Sequence, residues 1–272
     1  MSSTTAAQTS TTGQVPDDDA IAAALDHIGL TDRLAVYYRP VVTLSTGLVA
    51  SIAARIRFTD ALLSAAPPKR VVQVAERTGA IVPIGGWLIR ESVHELAEFL
   101  QAARPEGPVG LSVKVSIPEL ADAGFATRVA EVLTSAGVSP DVLVLEITQP
   151  PQDEDAELAG NLQLLRTMGV TLAVDESSMG PEAIARLHAL RVGELRIAPE
   201  ICHGAPTRQE DRATLAAIVG LARALGLVTV ATGIQTAEQL ETARALGVDR
   251  GQGALLGSPV PLTDLLSWLK PR

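Results

Sequence analysis

The chain has 272 residues, 47% of them hydrophobic and 19% charged, with 22 Lys and Arg against 31 Asp and Glu for a formal charge of −9. This composition excludes global disorder and a nucleic-acid binder held by bulk electrostatics, and three Phe, two Trp and two Tyr leave little material for stacking on single-stranded bases. The lone cysteine, Cys202, excludes an internal disulfide and a cysteine zinc site, and His27, His94, His188 and His203 lack metal-ligand spacing. No apolar run reaches the ~20 residues of a membrane helix. Residues 1–19 lack the basic and apolar parts of a secretory signal, so a cytoplasmic location is expected.

The first twelve residues hold eight Ser or Thr, and 1–19 is expected to be a disordered tail ahead of one domain over 20–272. Asp17, Asp18 and Asp19 sit where caps and first-turn acids belong, before a helix over 20–28. From Leu34 onward, short β-branched runs alternate with Ala/Leu/Arg segments of helical period. The predicted strands are 35–42, 49–58, 109–115, 142–147, 171–175, 194–197, 228–231 and 252–256. The predicted helices between and after them are 68–77, 84–103, 125–136, 153–168, 181–190, 208–225, 237–246 and 262–269. Gly137, Gly169, Gly226 and Gly247 each follow a helix and precede a hydrophobic residue, which is C-cap punctuation.

Strands interleaved with helices in this way predict an α/β fold, a (β/α)8 TIM-type barrel. A doubly wound open sheet is the alternative, but no Gly-x-Gly-x-x-Gly follows the first strand. The short turn Leu44-Ser45-Thr46-Gly47 suits a hairpin rather than a crossover, so the first strand is expected to run antiparallel.

In such a barrel, chemistry collects at the C-terminal strand ends. Alternation along the second strand sends Ser51, Ala53, Arg55 and Arg57 to the face opposite Ile52, Ala54, Ile56 and Phe58. The third strand places Ser112, Lys114 and Ser116 together. Later strand ends carry Glu146, Thr148 and Gln149, then Asp175 and Glu176, Arg196, Thr232 and Gln235, and Gln252. One such residue is ordinarily a solvated rim group or a cap; their recurrence at successive strand ends predicts a polar pocket.

Several runs occur in a recognisable order: Arg39-Pro40-Val41-Val42, Leu44-Ser45-Thr46-Gly47, the segment from Ala75 ending Pro83-Ile84-Gly85-Gly86-Trp87, Leu143-Val144-Leu145-Glu146-Ile147-Thr148, Ala231-Thr232-Gly233-Ile234-Gln235-Thr236, and Gln252-Gly253. From about Ala35 to its end the chain resembles the EAL-domain phosphodiesterases, bacterial enzymes that linearise cyclic di-GMP. By that resemblance the name-giving Glu-Ala-Leu falls on Ala53-Ala54-Arg55, the asparagine ligand on Lys114 and the catalytic lysine on Arg196. The aspartate that follows falls on Ala198, and the seventh-strand glutamates on Thr232 and Gln235. Glu146 and Asp175 match two acidic ligands, Glu176 replaces the second of a paired Asp-Asp, and Gln252 and the phosphate-contacting Arg57 are retained. Ser177-Ser178-Met179-Gly180 stands in place of the loop tied to dimer coupling.

Hydrolysis in that family uses two divalent ions, hard cations that need oxygen ligands. With carboxylates lost at 53, 232 and 235 and cations gained at 55 and 114, the resemblance implies a degenerate domain. Like charges ~4 Å apart oppose one another by about 4 kcal/mol in a partly screened site. The expectation is therefore no catalytic residue, no metal, no cofactor and no phosphodiesterase activity.

Two functions are expected in its place. One is a regulatory domain in cyclic di-GMP signalling that binds cyclic di-GMP or another phospho-ligand without metal. Its candidate contacts are Arg55, Arg57, Lys114, Glu146, Asp175, Glu176, Arg196 and Gln252. The other is a protein-interaction module whose pocket is closed by its own pairs of Arg55 and Arg57 with Glu146, Asp175 and Glu176. An enzyme of different chemistry on the acids has no nucleophile–base spacing behind it. The partners implied are cyclic di-GMP, a regulatory protein or a second copy of the chain; nucleic acid and membrane are not expected.

Overall fold

Residues of alternating character make the first two strands, and the alternation decides which groups enter the barrel. The computed structural model describes residues 15–26, 33–103, 108–147, 155–175 and 192–265. In β1 (Leu34–Thr43), Leu34, Val36 and Tyr38 are buried beneath the helices while Ala35, Tyr37 and Arg39 are half-buried on the other face. The chain then reverses through Gly47, whose φ of +76° lets its N–H reach the Thr43 carbonyl at 2.8 Å. β2 (Val49–Phe58) returns antiparallel, setting Tyr37 opposite Arg55 and Arg39 opposite Ala53.

Three helices follow, α2 (Ala61–Ala65), α3 (Pro68–Thr78) and α4 (Ile81–Ala103), before β3 (Gly110–Val115). Next come α5 (Ile117–Leu120), α6 (Phe125–Ala136), β4 (Leu143–Ile147), α7 (Ala156–Met168) and β5 (Thr171–Asp175). The rest is β6 (Glu194–Ile197), α8 (Pro199–Gly204), α9 (Gln209–Leu225), β7 (Val228–Ala231), α10 (Ala237–Ala245), β8 (Arg250–Gly251) and α11 (Leu262–Leu265). The eight strands close in sequence order, β1 antiparallel to both β2 and β8 and every other neighbour parallel. This is the expected (β/α)8 barrel with its first strand reversed.

Gly137, Gly169 and Gly226 cap α6, α7 and α9 in the left-handed conformation, as their spacing predicts. The last strand differs from expectation, lying at 250–251 rather than 252–256. The cause is close packing: a Cβ on Gly253 would stand 2.0 Å from the Ile234 carbonyl oxygen. The chain turns there, with the Leu256 and Gly257 N–H groups both on the Gly253 carbonyl at 3.1 Å. Short α2, α5 and α8 escape a periodicity search because caps and prolines make them. Asp60 accepts from the Leu62 and Leu63 N–H groups, Ser116 and Glu119 form a capping box, and Pro199 opens α8.

At the N-terminal edge, α1 (Asp18–Asp26) begins two residues before the expected start. Asp17 caps it, accepting from the Ala20 N–H at 2.9 Å, and Asp18 pairs with Arg70 (2.7 Å) and Arg77 (3.0 Å) of α3. The tail over 1–14, the predicted helix over 181–190 and the loop 177–180 lie outside the described residues. No described helix is long and apolar enough to cross a membrane.

The main core lies between the strands and the helices, where Leu111, Val113, Leu143, Leu145, Ile147 and Leu195 meet Val93, Leu96, Val129, Leu165 and Leu215. Inside the barrel a small separate plug of Val41, Ala53 and Val230 fills the centre.

Candidate functional site

Two residues further along the inner face from Val41 and Ala53, the side chains become cationic. Arg39 follows on β1 and Arg55, then Arg57, on β2. Arg55 donates to the Ala54 carbonyl at 2.8 Å and pairs with Glu146 of β4 at 3.2 Å. The exposed Arg57 sits 4.9 Å from the centre of the Tyr37 ring, a cation–π contact, and makes no ion pair among the described residues. Lys114 at the end of β3 stands 3.8 Å from Asp175 at the end of β5, and both are partly exposed.

Glu146 is the hub of the buried layer. Arg196 of β6 pairs with it at 3.2 Å, and the Ser112 hydroxyl of β3 donates to it. Burial alone would raise its carboxyl, but Arg196, then Arg55, Lys114 and Ser112, outweigh burial and hold it at about 2. Arg196, only 2% exposed, also pairs with Glu194 at 3.0 Å and donates to Gln252. Glu194 in turn meets Arg250 at 3.2 Å. Burial outweighs both arginines at Glu194 and raises its carboxyl above the usual range. An alternating chain, Arg55–Glu146–Arg196–Glu194–Arg250, thus runs down the barrel from mouth to base.

This places the expected residues at two depths. Arg55, Arg57, Lys114 and Asp175 are at the mouth; Glu146, Arg196 and Gln252 are buried beneath it and satisfied by one another. Thr232 donates its hydroxyl to the Ile197 carbonyl at 2.8 Å, and Gln235 is exposed with only its backbone N–H engaged, by Gln239. Glu176, Thr148 and Gln149 lie outside the described residues. Arg39, Tyr37, Glu194 and Arg250 are not among the candidate contacts expected from sequence. The period-two reading applied to β2 would have found the first two on β1.

The carboxylates that match the family's acidic ligands are Glu146 and Asp175, and cations engage both. Among the described residues no group of three or more His, Cys, Asp or Glu comes together to hold a metal. As placed, the donors do not fit a divalent ion, which needs a shell of oxygens free of guanidinium and ammonium groups.

Known proteins resemble the chain over most of its length. It is 31% identical over 250 residues to the oxygen sensor protein DosP of Escherichia coli, covering 92% of this chain and 31% of DosP. It is 26% identical over 244 residues to the cyclic di-GMP phosphodiesterase PA2567 of Pseudomonas aeruginosa, covering 89% of this chain and 41% of that protein. Superposition on the PaMucR phosphodiesterase in complex with cyclic di-GMP gives a TM-score of 0.82 at 29% identity, covering 90% of this chain and 99% of that one.

These relatives overturn the expectation that the chain is not an enzyme. Two of them are named phosphodiesterases. A model of the EAL domain matches residues 21–259, and the chain belongs to the EAL domain family.

Proposed function

We propose that the barrel mouth is a cyclic di-GMP site within a cyclic di-GMP signalling protein, and that cationic side chains on β1, β2 and β3 meet the nucleotide's phosphates. The observation that carries this is local charge. In a chain of net charge −9, the acids Glu146 and Asp175 are engaged by Arg55, Arg196 and Lys114, and Arg39 and Arg57 add two further cations on β1 and β2. Planar guanidinium forks suit phosphate oxygens, and a clustered positive mouth draws an anion despite the acidic exterior. The PaMucR structure, a cyclic di-GMP complex on a barrel of the same form, supports the choice of ligand.

The interaction-module alternative has less behind it. The large hydrophobics exposed among the described residues, Val15, Leu48, Leu164 and Leu255, come from four separate stretches of the chain. Calorimetric titration with cyclic di-GMP in EDTA tests the proposal. Saturable heat that weakens about tenfold or more in Arg57→Ala supports it; no heat, or heat indifferent to Arg57→Ala, sinks it. Turnover, the activity for which the relatives are named, is read separately by product chromatography with Mg²⁺ or Mn²⁺.

A further inference from the structure

Arg39 is the least explained charge in the barrel. Its Nε is buried with no hydrogen-bond partner, and it makes no ion pair among the described residues. It stands directly across the β1–β2 ladder from Ala53, a side chain too small to answer it, and diagonally from Arg55, which carries the same charge. Burial, then Arg55, pushes its guanidinium down from the ordinary value. A half-buried cation beside a like charge, with no acid paired to it among the described residues, lowers the stability of the folded state.

Arg55 cannot relieve it. Its own acid, Glu146, is shared with Arg196 and Ser112. Beneath both arginines the plug of Val41, Ala53 and Val230 supplies no polar atom from its side chains. A dianionic or monoanionic phosphate oxygen lodged between Arg39 and Arg55 would satisfy the orphan Nε–H and screen the repulsion.

We propose that Arg39 and Arg55 form a phosphate seat on the inner wall of the barrel, deeper than the rim made by Arg57 and Lys114, and that Arg39 is a specificity-determining residue for the ligand. The seat deepens the cyclic di-GMP reading of the mouth and rests on it for the identity of the whole ligand, though not for the phosphate chemistry.

The test uses the full chain in EDTA, wild type and Arg39→Gln, with thermal melts at matched ionic strength in chloride or inorganic pyrophosphate, and titration with cyclic di-GMP. Without ligand, Arg39→Gln melts about 2–4 °C higher than wild type, because a repelled charge is gone. Pyrophosphate raises the wild-type melt and leaves the variant unmoved, and cyclic di-GMP affinity falls about tenfold or more. A variant that melts lower than wild type assigns Arg39 a structural role and overturns the seat. A wild type that binds cyclic di-GMP with a variant that binds it equally well overturns the seat and leaves the mouth reading intact. Pyrophosphate stabilisation lost in the variant, with no cyclic di-GMP binding by wild type, upholds the seat and fells the mouth reading; no response to either probe fells both.

Discussion

Two glutamates in this molecule are each 2% exposed, and their carboxyls are shifted in opposite directions. Glu146, inside the barrel, is held at about 2; Glu119, on α5 outside it, is raised to about 7. Burial pushes both upward and is the largest influence on each. The difference is in the company. Glu146 has Arg196, Arg55, Lys114 and a hydroxyl, whereas Glu119 has only the Ser116 N–H and hydroxyl on Oε2, an unpartnered Oε1, and the like charge of Glu76. Depth therefore does not decide ionisation here; cations brought together by barrel closure do. The same contrast separates Arg196, held by Glu146, Glu194 and Gln252, from Arg39, which has no paired acid among the described residues.

The largest test removes the cation on which the contrast depends. Arg196→Met strips Glu146 and Glu194 of their shared partner and should lower unfolding free energy by about 3–5 kcal/mol, read from the urea midpoint. A midpoint within error of wild type would mean the inner ion chain contributes nothing.

Next comes pH. Glu119 binds its proton more tightly folded than unfolded, so its contribution to stability is fully present below about 4.5 and lost as pH rises to about 7. The loss is roughly 3 kcal/mol. Glu119→Gln should flatten wild-type stability across that window, leaving the variant the more stable at pH 8. Glu146 runs the other way: its contribution is present above about 4.5 and disappears as pH falls through about 2. Melts of wild type and variant from pH 2 to 8 span both windows.

A smaller effect probes why Glu119 can be buried at all. A Cβ on Gly85 of α4 would lie 1.6 Å from the Glu119 Oε1. Gly85→Ala should cost about 1–3 kcal/mol by overpacking, and adding Glu119→Ala should recover part of it. Full additivity of the two changes would separate them. Smallest of all is Asp18, whose carboxyl is lowered chiefly by its hydrogen bond to Arg70 and then by Arg77. That clasp is exposed, so Asp18→Ala should leave the melting midpoint unchanged; a large drop would show that solvent-exposed pairs matter here as much as buried ones.

Much of the fold is legible in the chain, and the reasons are local. The strands 171–175, 194–197 and 228–231 match their expected bounds because each is a short run opening one or two residues after a glycine stop, too short for a helical reading. The hairpin is legible because the five residues between Thr43 and Val49 cannot carry a crossover. The last strand is not, since Arg250 and Gly251 are too few to make a pattern and the turn after them depends on Ile234, distant in sequence. At the site, parity along β2 placed Arg55 and Arg57 on the inner face. It could not say that Arg55 would find Glu146, 91 residues away, or that Arg196 would be sealed among acids rather than open to a ligand.

By itself, the order of residues determined the period of each element, the reversal at Gly47 and which side chains share a face, because these depend on neighbours a few bonds away. Only the closed barrel decided which charges are answered. Pairing of β3 with β4, and of β5 with β6, sets carboxylates against cations over long separations, while pairing of β1 with β2 leaves Arg39 facing Ala53 with no acid paired to it among the described residues. Coulomb energies depend on distance and burial, and neither exists until the eight strands meet.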